Sequence, residues 1–229
     1  MSKQRKVPST FAQKTDATLA CNLAATSRGR AADGIDSLFP ERGIWADVLT
    51  TALHAEALPL GGPHPDRAGA YLLLYRGSLP LYERVSMRGS DAPCLAMATK
   101  WPVYSGSAQS LAERSRRHSK NLDDVRDLGV DDFLMIDLPC ESLAGALMAE
   151  AVNTSSFRPI FNERFVSGFG SRPQGESRLH TQRVAPFNVL HPGRRACEGA
   201  TSATAADLTQ RVRDHLEITV PQWWLARST

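Results

Sequence analysis

The sequence predicts an α+β fold in which a small central antiparallel sheet is flanked by helices, with extensions at both ends. Short apolar runs bounded by glycine or proline recur along the middle of the chain, as is typical of strands. Two stretches of helical length and spacing follow them. The chain has 229 residues, enough to bury one good core. The predicted order is strand, strand, strand, helix, strand, helix.

Two segments precede the predicted core. Residues 1–35 are rich in Ser, Thr, Ala and charge and have little apolar periodicity, which predicts a flexible basic arm. Residues 36–65 are predicted to form a helical extension, because apolar side chains from Ile44 to Leu53, and on to Ala57, have helical spacing. We expect this helix to pack either on the core or on a second subunit.

The core itself is predicted at residues 66–165. Four strands are expected, at residues 69–77, 81–86, 101–104 and 132–138. The second strand is expected to return as a hairpin partner of the first after Gly77 and Ser78. Helices are expected from about residue 108 to 120 and from about residue 142 to 153, the latter with apolar positions Leu143, Leu147 and Ala151 spaced by four.

Residues 166–229 differ in composition from the core. They are rich in Arg, Gly, Pro and His as far as residue 200, which predicts long irregular structure of the kind that often carries function. An amphipathic helix is predicted near residues 205–216. We interpret the whole segment as a basic DNA-recognition tail with a C-terminal helix.

Charge is distributed unevenly, although the net charge is only +3. Residues 1–30 and 158–200 are basic, whereas residues 122–150 are acidic. Basic ends around an acidic middle suit a polyanionic partner held by the flanks. Ordinary solvated surface explains the same pattern, so charge alone leaves both interpretations open.

Several classes of protein are excluded by what the sequence lacks. The four cysteines form no CxxC pair, which argues against zinc and for free thiols in a reducing cytoplasm. No apolar run approaches the ~20 residues of a membrane span, and we expect no membrane partner. No Walker-type Gly-Lys-Ser/Thr is present, and Gly168-Phe169-Gly170 lacks a strand-to-helix frame, so no nucleotide cofactor is expected. These absences favour a cytoplasmic protein.

The segment after Trp101 carries the clearest chemistry. We expect a strand to end at Tyr104, followed by a tight glycine turn and a helix with Arg114 and His118 one turn apart. Residues at i and i+4 share a helix face, so both side chains should point back toward the tyrosine. A phenol or imidazole can move a proton while a guanidinium holds an anion, which suits chemistry on a phosphate. Tyr71 lies on the neighbouring predicted strand, although a core tyrosine is the commoner explanation for either phenol.

Two further polar residues follow in the core. Glu150 lies among apolar or small neighbours on the second predicted helix, where a carboxylate is costly unless it is paired or binds metal. Magnesium favours one or two carboxylates together with phosphate oxygens. An exposed helix glutamate remains the alternative for Glu150, as a turn residue does for Asn162.

Together these positions resemble the GIY-YIG nuclease superfamily. Gly69-Ala70-Tyr71 is similar to its first motif and Val103-Tyr104-Ser105-Gly106 to its second. The spacings from Tyr104 to Arg114 and His118, and from Glu150 to Asn162, also match. The middle residues Ala70 and Ser105 depart from isoleucine, and Ser107 occupies a place where several relatives carry lysine. The resemblance covers about residues 66–165 and implies a GIY-YIG-like core.

A second resemblance extends the match to about residue 195. Gly168-Phe169-Gly170, Gln182-Arg183 and the segment from Leu190 to Arg194 are similar to the tail of type II restriction endonucleases built on this fold. Members of that subgroup cut GC-rich palindromes of the CCGCGG kind as homodimers. The resemblance therefore implies a homodimeric, site-specific endonuclease acting on double-stranded DNA.

The mechanism that the resemblance implies uses one Mg²⁺ per active site. Glu150 would ligate the metal, Arg114 would hold the phosphate, and Asn162 would position phosphate or its loop. The proton acceptor stays open among Tyr71, Tyr104 and His118. Because arginine can grip guanine in the major groove, five tail residues are candidate DNA contacts: Arg172, Arg178, Arg183, Arg194 and Arg195.

Two alternatives remain from the sequence. One is a GIY-YIG nuclease of a repair or homing type, although such proteins usually carry a separate DNA-binding module. The other is a DNA-binding protein that does not cleave, in which the tyrosines are simply core residues.

Overall fold

The computed structural model describes residues 42–86, 101–170, 183–194 and 203–221. The predicted arm at residues 1–35 lies outside these ranges. The described residues form a four-stranded antiparallel sheet in the order β1-β4-β2-β3, which confirms the predicted fold class. The strands are β1 Ala57–Pro59, β2 Gly69–Tyr75, β3 Pro102–Ala108 and β4 Phe133–Pro139.

Helices cover this sheet. They are α1 Arg42–His54, α2 Leu111–Leu122, α3 Leu143–Phe157, α4 Pro186–Leu190 and α5 Ala205–Thr219. Single 3₁₀ turns lie at Pro80–Val85, Val130–Asp132, Ile160–Asn162 and Arg164–Val166. α3 packs on β2 and β3, and α1 packs on α3. Of the helices in the described ranges, none has the length and apolar character needed to cross a membrane.

β2 is the centre of the core. All seven of its residues are buried, because β3 and β4 pair with its two edges and helices cover its faces. A continuous apolar run is what a strand buried on both faces requires. The register places Tyr71 of β2 opposite Gly106 of β3 on one side and Asp137 of β4 on the other.

The strand predicted at residues 81–86 is wrong. These residues form the 3₁₀ turn Pro80–Val85, whose first residue is a proline that fixes φ for a turn. Tyr82 N–H donates to the Leu79 carbonyl and Ser86 Oγ donates to the Gly77 carbonyl, so local bonds replace a ladder. β2 has no free edge for a hairpin partner, because β3 and β4 occupy both.

The predicted helical extension is present as α1, with Leu49 and Ala52 fully buried in the core. Its continuation to Ala57 is wrong. The helix ends at His54, and Ala57 begins the short strand β1, which pairs with β4. The helical spacing of Ala57 was therefore coincidental, and among the described side chains of α1, Leu49 and Ala52 pack on the core.

The structure also corrects which side of α3 is buried. Leu143 and Leu147, which define the predicted apolar stripe, are 37% and 53% exposed. The buried side instead carries small residues, including Ala146 and Ala149, with Val152 beyond them. Small side chains let the helix lie close to β3, and this close approach brings Glu150 to the strand.

The predicted glycine turn after Tyr104 is wrong as well. β3 continues through Gly106 to Ala108, and the turn comes afterwards. Ser110 then caps α2 by accepting a hydrogen bond from the Glu113 N–H at 3.1 Å. Gly106 is thus a residue within the strand and not part of a turn.

The predicted C-terminal helix is present as α5, and it buries Leu208, Val212 and Leu216. Only parts of the predicted irregular tail are described, at residues 163–170 and 183–194. These parts contain the turn Arg164–Val166 and the short helix α4, which begins at Pro186.

Candidate active site

Two tyrosines lie side by side on neighbouring strands. Tyr71 of β2 is completely buried, Tyr104 of β3 is partly buried, and their ring centroids are 6.0 Å apart. The Tyr71 phenol lies over Gly106: a Cβ at that position would be 2.4 Å from its hydroxyl oxygen. The glycine of the second motif is therefore required because the Tyr71 ring occupies that space.

α2 brings an imidazole onto these rings. His118 Nε2 lies 2.8 Å from the Tyr71 hydroxyl, and the His118 ring is 5.5 Å from both tyrosine rings. Burial raises the pKa of both phenols, and the charge of Arg114, one turn before His118, partly offsets that rise. Arg114 also lines a small surface pocket with Ser107 and Arg117. The structure thus gathers Tyr71, Tyr104, Arg114 and His118 in one place.

Burial decides the protonation of this group. It raises the pKa of Tyr71 well above the ordinary value, with Tyr104 adding to the effect and Arg114 opposing it. Burial likewise raises the pKa of Tyr104. Burial and three cations lower the pKa of His118 to about 3. At neutral pH both phenols therefore keep their protons, while the imidazole is neutral and has a nitrogen that can accept one.

Glu150 reaches the same strand from α3. Its Oε2 accepts a hydrogen bond from Ser107 Oγ at 2.5 Å. Successive residues of a strand point to opposite faces, so Glu150 at Ser107 and Tyr71 at Gly106 approach β3 from its two sides. β3 is the outer strand of the described sheet, and Ser107 lines the same small pocket as Arg114. The negative charge of Glu150 raises the pKa of both tyrosines, which places its carboxylate within electrostatic reach of them.

The donor set near Glu150 is sparse. Within the described ranges, no group of three or more His, Cys, Asp or Glu side chains is arranged to hold a metal ion. One partly exposed carboxylate nevertheless fits Mg²⁺, which takes one or two protein carboxylates and completes its shell with water and phosphate oxygens. The Glu150 carboxylate would have to offer an oxygen to the metal while it still accepts the hydrogen bond from Ser107.

Asn162 is close to the site but holds backbone. Its Oδ1 accepts from the Ser105 N–H at 2.7 Å, and its Nδ2 donates to the Ser105 carbonyl at 2.8 Å. The amide thus pairs with the outer edge of β3 as another strand would. The position of Asn162 therefore favours a role in fixing the strand that carries Tyr104, rather than direct contact with phosphate.

The candidate DNA contacts are only partly described. Arg172, Arg178 and Arg195 lie outside the described residues, and Arg183 is exposed. Arg194 is only 6% exposed, and its Nη1 donates to the carbonyls of Gly168 and Phe169 at 3.2 and 3.4 Å. That burial favours a structural role for Arg194 over the predicted contact with DNA.

Two residues at the site were missed by sequence reasoning. Ser107 was noted only as a departure from lysine, yet it binds Glu150. Phe169 was noted as part of Gly168-Phe169-Gly170 but given no role at the site, yet its ring stacks on His118 at 5.3 Å. Residues two apart in a strand share a face, so Ser107 could have been predicted to lie with Ser105 on the side of α3. No local sequence pattern predicts the contact between Phe169 and His118.

Comparison with known families agrees with the geometry. The family model described as the Eco29kI GIY-YIG domain matches residues 64–216, which is more than half of the chain. A search among curated proteins gave no match. The matched range contains all six core site residues and most of α5, so the family domain reaches beyond the predicted core at residues 66–165. The chain therefore belongs to the Eco29kI family of GIY-YIG domains and is a restriction-type endonuclease of the GIY-YIG nucleases.

Proposed function

We propose that this protein is a type II restriction endonuclease that hydrolyses both strands of DNA at a palindromic, GC-rich site with the help of Mg²⁺. The observation that carries the proposal is the hydrogen bond between Tyr71 and His118, beside Arg114 and within electrostatic reach of Glu150. A non-cleaving DNA-binding protein would have no use for this grouping.

In this proposal the proton leaves the attacking water through the Tyr71 hydroxyl. Tyr71 is a poor base alone, because burial raises its pKa. His118 Nε2 is in hydrogen-bonding distance and is unprotonated at neutral pH, so it can take the phenol proton as the phenol takes one from water. This makes His118 the final acceptor and Tyr71 the relay.

Arg114 would bind the scissile phosphate through paired N–H donors. The contact between Arg114 and the phosphate would also change the basicity of His118. Arg114 is the largest charge effect lowering the pKa of His118, so a phosphate that neutralises it raises the basicity of the imidazole. The site would then gain its proton acceptor when DNA arrives.

Glu150 would hold one Mg²⁺, with the Ser107 hydroxyl orienting the carboxylate. A bound Mg²⁺ supplies Lewis-acid polarisation of the phosphate and stabilises the leaving oxygen. Asn162 would act indirectly, by fixing β3 through Ser105.

Recognition would use exposed arginines of the tail, among which Arg183 is exposed in the described segment. A palindromic target calls for two-fold symmetry, so we propose a homodimer. A restriction enzyme meets invading DNA inside the cell, and we propose the cytoplasm as its location.

Digestion of a plasmid of known sequence with purified protein and Mg²⁺ tests the proposal. We expect discrete fragments that vanish with EDTA and with Glu150→Gln, while Glu150→Gln still binds DNA. Glu141→Gln, an exposed glutamate just before α3, is the matched control and should cut normally. Random nicking would point to a repair or homing type, and tight binding without cutting would point to a non-cleaving protein. Full activity in Glu150→Gln would remove Glu150 from the site.

A further inference from the structure

The Phe169 ring packs against the His118 ring. Its ring is 2% exposed and stacks on His118 at 5.3 Å and 27°. It also contacts Tyr104 at 5.1 Å and stacks on Phe161 at 4.7 Å, nearly parallel. The imidazole is thus enclosed by aromatic rings, and Phe169 is the one that comes from outside the predicted nuclease core.

The backbone beside Phe169 also lies close to Tyr104 and His118. A Cβ on Gly170 would lie 2.8 Å from the Tyr104 hydroxyl and 3.8 Å from His118 Cε1. Gly168 has φ of +120°, a conformation that other residues rarely adopt. The two glycines therefore let residues 168–170 lie flat against the tyrosine and the histidine.

A second segment holds this one in place. Arg194 donates to the carbonyls of Gly168 and Phe169, and its guanidinium lies 5.5 Å from the Phe187 ring. The segment that carries Arg194 is itself fixed to the core, because His191 bonds to Tyr82 at 2.6 Å and to Asp127 at 3.0 Å.

We infer that Phe169 and Arg194 are positioning residues for His118: the aromatic ring keeps its imidazole dry and aimed at Tyr71, and the guanidinium holds that ring in place. The inference concerns His118 itself, and only its consequence for cleavage rests on the proposed function. It assigns to the tail a part in catalysis besides its predicted part in recognition.

The electrostatics of His118 support this assignment. Burial is the largest cause of its lowered pKa, followed by the charges of Arg114, Arg117 and Arg194. Among the described residues, the two phenols also face it, Tyr71 on β2 and Tyr104 on β3. Water admitted by loss of the Phe169 ring would let the pKa rise toward the ordinary ~6.5. The imidazole would then be protonated in mild acid and could not accept a proton.

Histidine NMR titration of the full-length protein tests the inference without relying on cleavage. The chain has six histidines, and a His118→Gln variant assigns the His118 signal. We expect no titration of His118 between about pH 5 and 8 in the unaltered protein. In Phe169→Leu, which removes the ring but keeps an apolar, uncharged side chain, and in Arg194→Gln, we expect it to titrate within that range.

Matched controls come from the same part of the chain. Phe165→Leu alters a ring that contacts His215 rather than His118, and Arg164→Ala removes an exposed arginine nearby. Both should leave the His118 titration unchanged. Cleavage by Phe169→Leu should gain an acid limb, with a larger loss at pH 6 than at pH 8, whereas simple destabilisation would lower activity in parallel with Tm at every pH.

An unchanged His118 titration in both Phe169→Leu and Arg194→Gln would overturn the inference. If the unaltered protein does not cleave DNA, the proposed function fails, but the titration still decides whether Phe169 and Arg194 position the histidine.

Discussion

The Tyr71 phenol lies in the space that a side chain at Gly106 would occupy, across the β2–β3 pair. A Cβ there would be 2.4 Å from the hydroxyl oxygen and 2.5 Å from the ring carbon that bears it. The hydroxyl is the atom that bonds to His118. The geometry of this hydrogen bond therefore depends on the absence of a side chain at Gly106, a residue of the second motif.

Gly106→Ala should displace the Tyr71 ring and break its bond to His118. We expect cleavage to fall by about 100-fold or more, the size of a typical general acid–base contribution, with DNA binding largely retained. Gly129→Ala is the matched control, because a Cβ there meets only Asp132 at 3.8 Å. Plasmid cleavage and Tm measured side by side check the prediction. It is wrong if Gly106→Ala cuts as fast as Gly129→Ala.

The sequence was informative where local pattern and final environment agree. The run around Tyr71 is apolar because both faces of β2 are buried, and the i, i+4 relation of Arg114 and His118 survives in any helix. These two features predicted the strand that carries Tyr71 and the shared helix face of Arg114 and His118. They needed no knowledge of how distant segments pack.

Sequence reasoning failed where tertiary contacts overrode local pattern. Leu143 and Leu147 have ideal helical spacing, yet the closer packing of Ala146 and Ala149 turned them outward. The run at residues 81–86 could not pair with β2, because strands from later in the chain took both edges. The contact of Phe169 with His118 joins residues 51 positions apart by number, and no periodicity encodes such a relation.

Ser107→Ala should weaken the hold on the Glu150 carboxylate. The serine hydroxyl donates to Oε2, and loss of such an outer contact typically costs about 10- to 100-fold in metal affinity or activity. We expect the Mg²⁺ concentration for half-maximal cleavage to rise by about 10-fold. Ser107→Thr, which keeps the hydroxyl, should recover most of the loss, and the exposed Ser78→Ala should have no effect. Magnesium titrations of the cleavage rate decide, and an unchanged half-maximal concentration contradicts the prediction.

Asn162→Asp should destabilise the fold more than it alters chemistry. Aspartate can still accept from the Ser105 N–H, but it cannot donate to the Ser105 carbonyl. A lost bond with an unsatisfied partner costs about 1–3 kcal/mol, so denaturant unfolding should show a clear loss. Cleavage at low temperature should be reduced only modestly. A large fall in kcat with unchanged stability would instead indicate that Asn162 contacts the phosphate.

Substitutions of Arg183 and Arg194 should have different effects, the first on DNA binding and the second on thermal stability. Arg183 is exposed, so Arg183→Ala should leave Tm unchanged while weakening DNA binding and, if it contacts phosphate, reducing the salt dependence by about one charge. Arg194 is buried, so Arg194→Ala should lower Tm. Binding isotherms at several salt concentrations, together with thermal unfolding, test both. A normal Tm for Arg194→Ala combined with a lost salt slope would restore its predicted role in DNA binding.

The His64–Asp137 pair should make stability depend on pH. His64 Nδ1 lies 2.8 Å from Asp137 Oδ2, and its Nε2 lies 3.1 Å from the Pro59 carbonyl, so the doubly protonated ring can donate to both. Burial lowers the pKa of His64, but the hydrogen bond and charge of Asp137 outweigh it, and the net pKa is raised. The unfolded chain has the ordinary value of ~6.5.

A raised folded-state pKa means that this stabilisation is fully present below pH ~6.5 and is lost as pH rises through the folded-state pKa. His118 acts in the opposite sense, because its pKa of about 3 costs stability when the unfolded chain takes up a proton below ~6.5. A difference measurement is therefore needed. The free energy of unfolding lost in His64→Gln should be larger in mild acid than in mild alkali, and Asp137→Asn should remove most of that pH dependence. Denaturant unfolding of both variants and of the double variant across this range checks the prediction, and a loss that is the same at every pH would show that the pair is held without a proton gained on folding.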